Sequence, residues 1–252
     1  GPLVPSGMRL IFRDLIMEGY VDAVVSNGAN LVHDIVEAIG RRHLVGELNV
    51  DDQVLLEKGI NRAYDIFIKS DTWAALEEYI GGVLDNIPEE GRVGIPIHGL
   101  IREIGLSIED DGSILRAATR KGVPIFSPGF LDSMIGIPLW MYSKRKKLVI
   151  NPIKDFDLLG EMVYDARKSG AIILGGGTPK HHTQYMNTLR EGLDAAVQIS
   201  SARVEDGSLS GAPLKEAISW GKLKEGKTST IFGDVTIVFP LIVAAALEKI
   251  NG

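Results

Sequence analysis

Residues 171–177 read AIILGGG and run on through Thr178 into PKHHTQYMNTLREG at 179–192. The short apolar run is a buried strand, the glycine triplet is a tight exit, and the stretch beyond it is patterned as a helix. DAAVQISS (194–201) then forms the next strand. Strands separated by a helix of ten or more residues pair parallel through right-handed crossovers. This unit decides the fold class.

The same alternation extends in both directions. MRLIFRDLIMEG (8–19) and NLVHDIVEAIG (30–40) carry apolar residues at helical spacing, with the β-branched run YVDAVVS (20–26) between them. SDTWAALEEYIGGVLDNI (70–87) is a helix capped by Ser70 or Asp71, and KDFDLLGEMVYDARKSG (154–170) is a helix closing on Gly170. VPIFSP (123–128), KLVINPI (147–153) and TSTIFGD (228–234) read as strands, the last feeding a C-terminal helix. Residues 41–69 read as an irregular insertion or edge. The expectation is one α/β domain over 1–252, doubly wound and Rossmann-like, its mostly parallel sheet covered by helices on both faces.

The chain has 252 residues, 45% hydrophobic and 24% charged, which is a globular composition. A net charge of −6 gives no basic surface for nucleic acid and mildly favours a cationic partner. The absence of cysteine excludes disulfides, thiolate nucleophiles and thiolate-bound zinc, and suits a reducing cytoplasm. The most apolar stretch, VTIVFPLIVAAAL (235–247), is too short to span a bilayer and contains Pro240. No signal peptide opens the sequence, and no nucleic-acid or membrane partner is expected.

Ligands of such sheets bind beyond the carboxyl ends of the strands. The loops expected there are SNGAN (26–30), SPGFLDS (127–133), LGGGTPKHH (174–182), SSARVEDGSLSG (200–211) and FGDVT (232–236), all rich in small residues. Such loops suit close approach of backbone to a phosphate or ribose. The glycine triplet lacks the G-x-G-x-x-G spacing, and Asp194 opens its strand instead of closing one, so a plain tight turn remains an alternative. His181 and His182 are adjacent on a helix and face different directions, which is not metal-ligand spacing. No metal site is expected.

Lys222 lies in EAISWGKLK (216–224), beside Trp220 and Gly221 and after the small-residue loop 205–214. It is either a solvated lysine or an amine held out for chemistry, since a desolvated lysine becomes nucleophilic towards imines and carbonyls. Lys224 and Lys227, on the same segment, read as solvated.

GAPLKEAISWGKLK, ILGGGTPKHH, GDVTIVFPLIVAA, GPLVPSGMR and VVSNGANLVHDIVEAIG together resemble, in order and over essentially the whole chain, archaeal deoxyhypusine synthases. The resemblance implies NAD, a polyamine donor such as spermidine, and a hypusine-bearing translation initiation factor as acceptor. In that scheme NAD takes hydride from the secondary amine and 1,3-diaminopropane leaves. An enzyme lysine carries the butylimine and passes it to the factor's lysine, where the same NADH reduces it.

The imine-forming lysine maps to Lys222. The cofactor side maps to Asn27, Gly28, Asp132, Gly175, Gly176, Ser201, Gly207, Ser210, Asp234 and Val235, and the polyamine side to His181, Tyr185, Glu216 and Trp220, with His181 also catalytic. Leu209 and Ile137 stand where eukaryotic members have acids, Tyr185 where they have asparagine, and His33 replaces an acid near the cofactor. These departures keep open another donor or a small-amine acceptor, as in homospermidine synthesis or an agmatine route. A non-catalytic dinucleotide-binding protein is a third reading, opposed by Lys222, Glu216 and Trp220. The resemblance further implies a cytoplasmic homotetramer, a dimer of dimers, and a chain lacking the family's N-terminal segment.

Overall fold

A helical turn over Val4–Met8 leads into α1 (Arg9–Met17) in the computed structural model, which describes residues 3–252. After Pro152 the chain divides into two compact units. In the first, strand β1 is only Val24–Val25, shorter than the 20–26 run suggested. Helix α2 (Gly28–Ala38) begins earlier than expected because Asn27 caps it, its side chain accepting the Asn30 N–H at 2.9 Å.

The stretch read as irregular, 41–69, is folded. It holds β2 (Leu44–Val45), α3 (Asp52–Glu57), β3 (Ile60–Ala63) and β4 (Ile66–Lys69), an antiparallel sheet in the order β2-β4-β3. The hairpin turns at Tyr64, a non-glycine residue in the left-handed region at φ 58°, so the usual Asn-Gly turn signal is missing from the sequence.

The rest of this unit is α4 (Asp71–Asn86), α5 (Glu89–Arg92), β5 (Val93–Ile95), α6 (Ile97–Ser107), α7 (Ile114–Lys121), β6 (Ile125–Phe126), α8 (Gly136–Ser143) and β7 (Val149–Ile150). β1 pairs parallel with β6, and β5 with β7. Apolar stripes of the helices build the core, with Leu31, Ile35, Leu76, Ile80, Leu84, Leu100, Ile104 and Leu115 essentially inaccessible.

One buried charge ties this core together. Asp34, fully buried on α2, takes Arg9 Nε at 2.5 Å, Ser113 Oγ at 2.7 Å and the Leu115 N–H at 2.9 Å. Arg9 also reaches the Asp34 carbonyl and Asp110 Oδ2. Four donors on one carboxyl residue join α1, α2 and the start of α7, the arrangement that makes a buried ion tolerable.

The second unit contains α9 (Lys154–Asp165), β8 (Gly170–Leu174), α10 (Thr178–Met186), β9 (Leu193–Ser200), α11 (Glu216–Ser219), β10 (Leu223–Phe232) and α12 (Val235–Asn251). Its sheet runs β10-β9-β8, parallel at both pairings. Helix α9 stops short of Gly170, which opens β8 instead of closing the helix. Arg190 accounts for this by donating to the carbonyls of Ala166 and Arg167 and to Ser169 Oγ, which hold 166–169 out of the helix. The core is small: Ile173, Leu193, Ala196, Leu214, Ala217 and Leu223. Each unit is thus mixed α/β with parallel strand pairs, and among the described residues no helix is long and apolar enough to cross a membrane.

Asp34→Ala strands Arg9 without its main partner and should destabilise the first unit by about 3–5 kcal/mol. Urea unfolding followed by circular dichroism measures it. Asp34→Asn, which keeps one acceptor oxygen without the charge, should lose clearly less, and equal losses would mean that the charge alone holds Arg9.

Candidate functional site

Helices α2, α10 and α12 each begin where a parallel strand ends, the place where first-turn N–H groups face a ligand. Two of the caps are residues the family pattern assigns to the cofactor. Asn27 caps α2, and Asp234 caps α12 by accepting the Thr236 N–H at 2.8 Å and its hydroxyl at 2.6 Å, bonds that hold the carboxyl below the usual carboxylate range.

In the first unit, a Cβ on Gly28 would sit 2.7 Å from the Phe130 carbonyl oxygen and from Ser133 Oγ. The loops 26–30 and 127–133 therefore touch, which brings Asn27 and Gly28 against the turn that carries Asp132. Glycine is required at 28 by this packing, a reason distinct from the ligand approach read from composition. Ile137 is exposed on α8. His33, one and a half turns into α2, accompanies these residues.

In the second unit the predicted residues gather around a polar staple that sequence reasoning missed. Gln198, fully buried on β9, donates through Nε2 to the Gly175 carbonyl at 2.9 Å and the Ser210 carbonyl at 3.0 Å. Its Oε1 accepts from Lys180 Nζ at 3.1 Å, and Lys180 also donates to the carbonyls of Leu209 (2.8 Å) and Ala212 (2.6 Å). Three acceptors match the three protons of an ammonium, although burial pulls the Lys180 pKa down while Glu216 pushes it up. A Cβ on Gly176 would lie 2.4 Å from Ser210 Cα, so only glycine lets the two loops meet. A sequence signal existed: Gln198 shares the inward parity of Ala196 and Ser200 on a central strand.

The staple sets one wall of a cleft of about 470 Å³, lined by Ser200, Arg203, Glu205, Ser210, Thr230 and Phe232 among others. Ser201 follows β9 directly, Gly207 takes a left-handed φ of 62° after the short turn Val204–Asp206, and Val235 opens α12. Arg203, Thr230 and Phe232 carried no motif in the sequence.

The histidine pair divides its work. His182 packs edge-on against Phe156 of α9, and burial lowers its pKa. His181 points elsewhere and stacks on Tyr185, ring planes 5° apart and centroids at 5.8 Å. These two share one face of α10 as an i, i+4 pair. Glu216 opens α11, whose end at Trp220 is followed by Gly221 in the left-handed region at φ 65°. That turn folds Lys222 back so that Nζ lies 4.9 Å from the Trp220 ring centroid.

Trp220 is 66% exposed and Lys222 half-buried, so the lysine sits on an open aromatic shelf. Lys224, in contrast, is not a free solvated lysine. It pairs with Asp194 at 2.9 Å, and the same carboxylate accepts from Arg190 and the Ser169 N–H, which drives its pKa far down. Asp194 is a structural anchor at the start of β9. Lys227 is exposed, as expected.

Comparison with known proteins gives a single answer. The family model for deoxyhypusine synthase matches residues 1–246. A curated relative from Methanothermobacter thermautotrophicus, named "Probable deoxyhypusine synthase", is 45% identical over 99% of this chain and 81% of its own length. A relative of the same name from Methanopyrus kandleri is 42% identical over all of this chain and 81% of its own. A crystal structure under the same family name, from Entamoeba histolytica, superposes with a TM-score of 0.66 at 24% identity, covering 96% of this chain and 71% of that one, and supports the fold. With the parallel strand ends, the SWGK turn and a family match over almost its full length, the chain belongs to the deoxyhypusine synthase family of aminobutyl transferases.

Proposed function

We propose that the chain transfers the 4-aminobutyl group of spermidine to a lysine of the hypusine-bearing translation initiation factor, with Lys222 as the imine-forming amine and NAD as cofactor. The observation that carries this is the contrast between neighbouring lysines: Lys224 is bound into the Asp194 ion pair, whereas Lys222 is displayed over the Trp220 ring.

NAD supplies a hydride acceptor and, later, a hydride donor when bound. The residues present suit such a dianionic, ribose-bearing group. The N-terminus of α10, the buried Lys180 charge behind it and Arg203 on the cleft favour phosphate, while Ser210 and Thr230 offer hydroxyls. On this reading Gly175, Gly176, Ser201, Gly207, Ser210, Asp234 and Val235 hold the cofactor in a Rossmann-like manner; the family resemblance also assigns Asn27, Gly28 and Asp132 to it.

The chain's own residues then have separate tasks. Trp220 and the His181–Tyr185 stack offer π faces to an alkylammonium, and Glu216 offers a carboxylate. Lys222 attacks the C=N carbon of the oxidised donor and expels the departing amine, and the acceptor lysine then attacks the Lys222 imine and expels the Lys222 amine, so no net proton is consumed across the two exchanges. We also infer a homotetramer in the cytoplasm, where a translation factor is met. Exposed Phe232, Ile237 and Leu241 on β10 and α12 favour burial against further subunits.

Three measurements test this. Lys222→Arg keeps the charge but cannot form an imine, so borohydride trapping with spermidine and NAD should fall at least a hundredfold with NAD affinity within about threefold of the parent. An adduct mapped to Lys227 would reassign the role.

Lys180→Met leaves three carbonyl acceptors without their donor. It should cost about 3 kcal/mol of stability and weaken NAD binding about tenfold by calorimetry. Unaltered affinity in the folded variant would detach the staple from the cofactor. Gly176 is unsuited to the same test, because any side chain there collides with the Ser210 backbone regardless of ligand.

Light scattering at micromolar protein should give four times the 27.3 kDa chain mass. An active monomer refutes the assembly.

A further inference from the structure

The first unit contains a chain of three side chains that the reaction scheme above does not use. Glu37 Oε1 lies 2.6 Å from His43 Nδ1, and His43 Nε2 lies 2.8 Å from His33 Nδ1. The carboxylate is fixed independently, since Glu37 Oε1 also takes the His43 backbone N–H at 3.0 Å and Oε2 takes Arg42 Nη1 at 2.8 Å. The His43 side chain is only 5% exposed and Glu37 16%. The rings of His33 and His43 meet edge to face, at 66°.

Hydrogen-bond direction along this chain follows from elementary valence. An ionised carboxylate only accepts, so His43 must donate from Nδ1. A neutral His43 then has a bare Nε2, which can only accept, and His33 must donate from its own Nδ1. The His33 Nε2 is left as a lone pair. Burial, followed by the neighbouring His43, lowers the His33 pKa to about 4, which keeps it neutral at pH 7. Ala29, Asn30, His33 and Glu37 share one face of α2, so His33 continues the surface begun by the loop 26–30.

We propose that Glu37 and His43 are positioning residues that lock His33 in its Nδ1–H tautomer and make Nε2 a fixed hydrogen-bond acceptor for an N–H or O–H group of the ligand bound over the 26–30 loop. The donor group is a ribose hydroxyl of NAD or an amine of the polyamine, and this part rests on the proposed function. A single proton reverses the device. Protonated His43 would donate from both nitrogens, His33 would accept at Nδ1, and its Nε2 would become a donor.

The test begins with ¹⁵N-labelled histidine in the whole chain, where five histidines keep the spectrum readable. His33 should show the Nδ1–H pattern at pH 7, and Glu37→Gln, whose amide can donate to His43, should abolish this single-tautomer signature with little change in melting temperature. An Nε2–H pattern in the parent overturns the proposal whether or not the protein binds NAD.

The ligand arm uses NAD and spermidine in separate titrations. His33→Leu should weaken one of them about tenfold, roughly one hydrogen bond, while His33→Gln, which keeps an acceptor, stays within about threefold. The ligand that weakens identifies the donor group. A folded His33→Leu protein that binds both like the parent removes the ligand contact. A parent that binds neither defeats the proposed function and the contact together, and leaves the tautomer result to stand or fall by itself.

Discussion

The second unit's strand-end surface depends on one amide. Gln198 sits at the middle of a three-stranded sheet, where an unpaired polar group would be costly, and it uses both ends of its side chain to join loops that have no other reason to meet. Lys180 completes the joint from α10. Once the Gly175 and Ser210 carbonyls are fixed to the same nitrogen, the backbones at 176 and 210 come too close for any side chain. The segment beyond Ala212 then leaves from a set position, packs Leu214 and Ala217 into the core, and delivers Trp220 and Lys222 at the turn before β10. Lys222 is thus placed by a distant polar joint as well as by the turn at Gly221.

The first unit uses the same device with a full charge. Asp34 collects α1, α2 and α7 as Gln198 collects its loops, and in both cases every available donor or acceptor is used. A buried group with several partners from distant segments tolerates little displacement of any of them, because each lost partner leaves an uncompensated polar atom. Such anchors make the loops next to them stiff, and loop precision of this kind is what cofactor binding and group transfer require.

The sequence exposes some of this and hides the rest for identifiable reasons. Long helices such as 70–87 and the strand AIILGGG announce themselves because period and punctuation agree over many residues. The strands β1, β6 and β7 lie inside runs read as strands but cover only two residues of each, and the β3–β4 hairpin turns on Tyr64 without a glycine. Candidate site residues stand out where chemistry and motif coincide, as at Lys222, Trp220 and His181. Lys180 and His43 do not, since a lysine or histidine looks the same in sequence whether solvated or buried among acceptors. Their roles depend on contacts 29 and 10 residues away along the chain, between Lys180 and Leu209 and between His43 and His33. At Gly28 and Gly176, which looked like ligand-approach positions, the structure adds a second requirement for glycine, close packing against another loop.

The exposed shelf at Trp220 carries one more consequence. A cation over an aromatic face is held by the ring's quadrupole, which favours the ammonium. Imine formation needs the opposite, a lone pair on Nζ. The turn at Gly221 holds Lys222 Nζ over the Trp220 ring on an exposed surface, and on the proposed function a polyamine cation bound there would compete with Nζ for the same ring. On that reading Trp220 would have two uses that follow one another, first holding the lysine and then the amine that reacts with it.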